Sequence, residues 1–381
     1  VAVDDQGNVY VTDNNNHRVQ KYTIGVPDWE QTNINGFGDW RNGFINSLAP
    51  FDGQLYAGVY NGTGSGAQLW RSSDGQTWTS VMTDGFGNTD LDGIDYLYEF
   101  DGDLYAGAWD WDDGNQSDGG ELWRSSDGTT WNQVVSAGFG SATNADIFSL
   151  VEFNSQLYAS TWSVDTSVHG SEIYRSNSGD NGSWSRVVSD GFGDSDNYCT
   201  LSFEVFNGDL YAGTGNHNGG EVWRSASGEI GSWSQVNSDG FGDSNNDRVT
   251  SFSVFDGYLY AVTRNDNGSQ VWRCQTCDGS DWIKVVDVGF GNTSNTSWGG
   301  LALYNGKLYC VIGNDADGLE VWQTSDGTNW GQVGFAGFGD SNNFGAYRHN
   351  SLAVFDNSFY LGTFNFANGG EVWMYEELPL P

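Results

Sequence analysis

Apolar and polar residues alternate along this chain in short stretches that return in a fixed order. An apolar run closing on a phenylalanine, such as Val205-Phe206, precedes an Asx-Gly pair: Asp52-Gly53, Asp101-Gly102, Asn207-Gly208, Asp256-Gly257 and Asn305-Gly306. Both central residues of a tight hairpin turn need positive φ, so these pairs predict hairpins. The stretch that follows is L-Y-A-G or a near copy, at Leu55-Tyr56, Leu104-Tyr105, Leu157-Tyr158, Leu210-Tyr211, Leu259-Tyr260 and Leu308-Tyr309. A polar loop of variable length leads to a third stretch, fullest as EVWR from Glu221 to Arg224. An SSDG-type turn then leads to a fourth, opening on Trp78, Trp131, Trp184, Trp233, Trp282 and Trp330. No helical period intervenes, so each unit reads as four short antiparallel strands.

The tripeptide GFG marks the units at Gly36, Gly85, Gly138, Gly191, Gly240, Gly289 and Gly337, spaced 48 to 53 residues apart. A lone four-stranded sheet cannot bury both faces, so the units must stack. The expected fold is all-β, a β-propeller of four-stranded antiparallel blades with the repeated Trp, Tyr and Phe packed between sheets. The chain reads as a single propeller over 1–381, with repeats over 36–375 and a tail at 376–381. The first three strands occur once more often than the fourth, because 1–22 form an extra triplet and the last copy stops after EVWMY. Either 1–35 form a complete first blade of eight, or the strand near 29–35 completes the last triplet in a ring of seven. Lys21 and Trp29 are spaced like Trp70 and Trp78, which favours eight. The opening VAVDDQG reads as the inside of a strand, so a longer precursor is expected.

Two resemblances follow. The segment from Asp5 to Gln20, DQGNVYVTDNNNHRVQ, resembles an NHL repeat. The turns SSDGQTW (72–78), SSDGTTW (125–131) and TSDGTNW (324–330) resemble the Asp-box of sialidase-like and sortilin-like propellers, one residue shorter, and the copies at 176–184 and 225–233 lack the Asp. The first resemblance implies protein or RNA binding. The second implies a fold-stabilising turn remote from any active site.

The charge narrows the partners. With 50 acidic and 14 basic residues the net charge is −36, a field that repels nucleic acid and anionic membrane. No apolar run is long enough to insert in a bilayer. Of four cysteines, Cys274 and Cys277 form a CQTC pair at a strand end, which predicts a local disulfide and an oxidising, extracellular or cell-surface setting.

In a propeller, the loops after the fourth strand share a face with the loops between the second and third. That face would carry Asp39, Arg41, Asp194, Asn218, Asp243, Asn246, Arg248, Asp340, Asn343 and Arg348, with His169, His217 and His349 among them. Asn and Asp beside aromatics suit sugar hydroxyls and ring faces; they are equally ordinary turn chemistry. The acidic cluster Asp110, Asp112, Asp113 and Asp118 is the candidate for calcium, which takes oxygen ligands, although it lacks the EF-hand spacing. Arg41, Arg248 and Arg348 break the repeat, but no catalytic nucleophile or acid accompanies them. The reading is a non-enzymatic binding module for a glycan or extracellular protein, part of a larger protein. The alternatives are a self-assembling structural propeller and, third, a sialidase-like glycosidase.

Overall fold

The computed structural model describes residues 29–62, 65–110, 118–164, 169–346 and 350–377, together with the backbone of three strands further upstream, Ala2–Val3, Asn8–Asp13 and Arg18–Thr23. The chain is all-β. From residue 44 to residue 332 six four-stranded antiparallel modules succeed one another, each with its strands in chain order. The first runs Phe44–Phe51, Gln54–Tyr60, Gln68–Ser72 and Trp78–Met82. The second begins at Gly93–Phe100, the third at Asn144–Phe153, the fourth at Asn197–Phe206, the fifth at Asn246–Phe255 and the sixth at Gly299–Tyr304. The Asx-Gly pairs turn as expected, with Asp52 at φ 44° and Gly53 at 69°.

The last module takes its fourth strand from the stretch near 29–35, the arrangement of the second alternative. Leu352–Phe355, Ser358–Gly362 and Val372–Tyr375 are joined by Glu30–Gln31, which pairs antiparallel with Val372–Tyr375 through Trp373↔Gln31 and Met374↔Glu30. Residues 1–35 are therefore not one sheet: the upstream strands form a separate three-stranded sheet. Spacing along the chain cannot distinguish a fourth strand that joins its own triplet from one that joins the far end of the chain, and here the second arrangement forms. The first strand of each module touches that of the next, and Leu352–Phe355 touches Phe44–Phe51 in the same way.

The cores lie between modules rather than within them. Tyr56 of the first module packs with Leu69, Ile94, Leu97 and Leu104, the last three from the second. Five buried tyrosines of the second strands, Tyr56, Tyr105, Tyr158, Tyr260 and Tyr360, also reach the next module's turn. A Cβ on Gly128 would sit 1.9 Å from the Tyr56 hydroxyl, and one on Gly75 would sit 1.9 Å from that of Tyr360 in the last module. Both glycines have positive φ, so the position excludes a side chain twice over.

The GFG tripeptides are staples. Phe37, Phe86, Phe139, Phe192, Phe241, Phe290 and Phe338 all adopt left-handed φ of 55–67°, at a cost of about 1–2 kcal/mol each. Each ring stacks on an aromatic of the following module's third strand, as Phe192 does on Trp223 at 4.6 Å and 6°. Trp29, before the strand Glu30–Gln31, packs 4.9 Å from Phe338, the role Trp78 plays for Phe37.

Candidate functional site

Where the first strands converge, several depart from the regular ladder. An extra residue is inserted in the first strand at Asn46, Asp95, Phe148, Leu201 and Thr250, seen as register shifts in the pairing. Such bulges re-aim a side chain. Asn46 donates to the Asp95 carboxylate of the next module at 2.6 Å, and both are buried. Phe148 and Leu201 join Tyr198 and Cys199 in an apolar cluster against Trp162 and Trp298.

Beside this cluster opens a cavity of about 450 Å³, with walls from the first, second, third, sixth and last modules. Its walls are aromatic: Phe44, Tyr60, Trp109, Trp162, Trp298, Phe344, Phe364 and Phe366. Tyr60 stacks on Trp109 at 5.4 Å, and Phe44 lies 4.1 Å from Phe364 and 4.3 Å from Phe366. Asn46, Asp95, Asp146, Ser297 and Asp315 supply the polar groups. The Oδ1 of Asn46 is buried and accepts no hydrogen bond from the described residues, although that of a buried amide nearly always does.

Four of these wall residues share one repeat position, the sixth of the L-Y-A-G segment. It is Tyr60, Trp109, Trp162 and Phe364 in four modules, but Gly215, Arg264 and Gly313 in the other three. Sequence reasoning passed over this column because it treated aromatics as packing. The signal was available: the position changes chemistry around the repeat, whereas packing aromatics recur in every copy.

Most residues expected on the ligand face have their polar groups occupied by the fold. Asn246 is buried; its amide donates to the Gly240 carbonyl at 2.8 Å and to Gln270 at 3.0 Å, and accepts from Thr263 and Asn265. Asn343 repeats the arrangement with Gly337, Glu371, Thr363 and Asn365. These two amides lock the GFG turn and are not available to a ligand. Asp39, Asp194 and Asp243 accept backbone N–H groups two residues on, at 3.0–3.1 Å. Asp340 is partly buried, which raises its pKa, yet hydrogen bonds from Asn342, Asn368 and Asn365 hold its carboxyl below the usual range. Asn218 bonds Asp196 at 2.9 Å, and exposed Arg41 pairs with Asp39.

Arg248 alone of that set belongs to the aromatic cluster, with Nε donating to the Tyr198 hydroxyl at 2.6 Å. Arg348, His349, Asp112 and Asp113 lie outside the described residues. Asp110 is buried and accepts the Asp118 backbone N–H at 2.8 Å, a loop closure. Among the described residues no three His, Cys, Asp or Glu side chains gather as metal ligands do, and none of the helices could cross a membrane.

The turns before the fourth strands are tightly bonded. Asp74 accepts the Thr77 and Gln76 backbone N–H groups at 2.6 and 2.9 Å and the Ser72 hydroxyl at 2.9 Å, which holds its carboxyl far below the usual range. Asp127 and Asp326 do the same. In the fifth module Cys274 and Cys277 are disulfide-bonded at that turn.

Comparison with known proteins bears on the fold. The NHL repeat model matches residues 1–22. No curated protein matches the chain in sequence. Among solved structures, a GH74 xyloglucanase from Xanthomonas campestris is similar over 93% of this chain and 54% of its own, at 18% identity and a TM-score of 0.61. A luciferin-regenerating enzyme aligns over 92% of this chain and 96% of its own at 10% identity and a TM-score of 0.47. A structure from a study of two prolyl endopeptidases aligns over 75% of this chain and 41% of its own, at 14% identity and a TM-score of 0.47. The chain thus spans about half the length of the xyloglucanase, and less of the endopeptidase. Repeated four-stranded sheets, an NHL repeat match and this likeness of fold make the chain a β-propeller repeat protein.

Proposed function

We propose that the chain is a seven-bladed propeller, closed by Glu30–Gln31, that binds a saccharide in its central cavity as part of a secreted or cell-surface protein. The observation that carries the reading is the cavity itself: aromatic faces on one arc, with buried Asn46 and its unbonded Oδ1 beside them. Its volume of about 450 Å³ falls within the ~300–1,000 Å³ of small-molecule sites. Apolar walls with a few fixed polar groups suit a ligand with apolar ring faces and hydroxyls at its edge. The Cys274–Cys277 disulfide suits an oxidising compartment.

The test is a glycan array on the purified chain, in calcium and in chelator, followed by calorimetry on any hit. Binding that Trp162→Ala weakens at least tenfold supports the cavity. Loss in chelator would add a calcium requirement and direct attention to Asp110 and its neighbours. A blank array in both conditions would sink the saccharide reading and leave protein contact or self-assembly. Hydrolysis of a bound saccharide would make the protein a glycosidase.

A further inference from the structure

Most described arginines are paired with carboxylates, but Arg71, Arg248 and Arg273 are not, and of these three Arg248 lies beside the cavity wall Trp298. The chain has 14 basic residues against 50 acidic, and Arg124, Arg175, Arg186, Arg224 and Arg264 each have a carboxylate within 3.5 Å. Arg248 has none among the described residues. Its neighbour in sequence, Asp247, is bound by Arg264 at 2.6 Å. The Arg248 guanidinium instead lies in an aromatic slot, 4.7 Å from the Trp298 ring centroid and 5.7 Å from that of Tyr198. Only Nε is bonded, to the Tyr198 hydroxyl at 2.6 Å. The two terminal nitrogens donate to no described residue.

The slot is preorganised. Tyr198 stacks on His217 at 4.9 Å and crosses Gly215, where a Cβ would fall 3.0 Å from the tyrosine Cζ and 2.6 Å from Cys199 Sγ. Gly215 also pairs through its backbone with Arg248, bridging the fourth and fifth modules. The fourth module's glycine in the aromatic column thus makes room for the group that holds the arginine. Asp247 supplies charge near Arg248 without a hydrogen bond to it, so the terminal nitrogens of this partly buried guanidinium remain unsatisfied, which is costly. A guanidinium with its terminal fork free matches the two oxygens of a carboxylate.

We infer that Arg248 anchors the carboxylate of an acidic, uronic-acid-type saccharide whose rings stack in the cavity that Trp298 helps to wall. This rests on the saccharide reading of the cavity. The net charge of −36 opposes a dense polyanion at long range, which favours a sparsely carboxylated ligand over a heavily sulfated one.

The experiment is titration calorimetry of the full chain at pH 7 with a glucuronic-acid disaccharide, its neutral methyl ester and a sulfated disaccharide. The free acid is expected to bind at least tenfold tighter than the ester. Arg248→Gln should remove that preference while leaving ester binding within twofold, and Arg248→Lys should recover part of it. Unchanged ester binding serves as the check that the variant is folded. Equal binding of acid and ester by the native chain would overturn the Arg248 assignment and leave the saccharide cavity standing. Equal loss of acid and ester in Arg248→Gln would overturn it in favour of a packing role. A preference for the sulfated sugar would overturn the carboxylate assignment. Binding of none of the three, with a blank array, would remove both proposals.

Discussion

The Phe192 ring lies parallel to that of Trp223, 4.6 Å away and 6° from coplanar, although Phe192 belongs to the connection leaving the third module and Trp223 to the third strand of the fourth. To place it, Phe192 takes φ 67°, a conformation that β-carbon sterics disfavour. The strain is offset by ring burial and by stacking worth about 0.5–1.5 kcal/mol beyond it. The Asn197 amide, donating to the Gly191 carbonyl at 2.9 Å, holds the turn.

Phe192→Ala should therefore destabilise the protein by about 3 kcal/mol in urea unfolding. Relief of the left-handed strain in Phe192→Gly should make that variant no worse than the alanine. If alanine and glycine both cost under about 0.5 kcal/mol, the staple is not a stabilising contact.

Gly75 and Gly128 form a matched pair. Each has positive φ, and each would press a Cβ to 1.9 Å from a tyrosine hydroxyl, of Tyr360 and Tyr56 respectively. Strain and overlap together should cost about 2–4 kcal/mol for either alanine substitution. Thermal unfolding should show similar losses for the two. A much smaller effect at Gly75 would mean that the last module does not press on the first as the first presses on the second.

Glu204 stands near the end of a first strand, away from the cavity, and burial pushes its carboxyl up to about 7 from 4.5. Because the folded value lies above the unfolded one, its contribution is fully present below pH about 4.5 and is lost as pH rises through about 7. Glu204→Gln should stabilise the protein by about 2–3 kcal/mol at pH 8 and by almost nothing at pH 4. A pH-independent difference between the two proteins would contradict this.

The Cys274–Cys277 bond closes a loop of only a few residues, so the entropy it removes from the unfolded chain is small. Cys277→Ser should cost about 1–2 kcal/mol in denaturant unfolding. Dithiothreitol should shift the native protein by the same amount and leave that variant unmoved. Cys199 and Cys310 are buried, and burial pushes the Cys310 thiol upward, so at least Cys310 should stay unreactive to thiol reagents in the native state.

The repeat, the strand order within each unit, the hairpin turns and the CQTC turn were all legible in the sequence, because each depends on residues close together in the chain. Asp52-Gly53 turns where it does because its own backbone must take positive φ. What the sequence left open was decided by contacts between distant residues. Glu30–Gln31 could have paired with the strand before it or with Val372–Tyr375, and local spacing suits both; only the long-range pairing with Val372–Tyr375 selects one. Asn246 and Asn343 have the composition of ligand contacts, but tertiary packing turns their amides onto Gly240 and Gly337 and leaves nothing free. The cavity arises from side chains at one repeat position in four modules, joined by bulged residues such as Asn46. Which residues share a cavity is set by where the modules converge, and no single repeat contains that information.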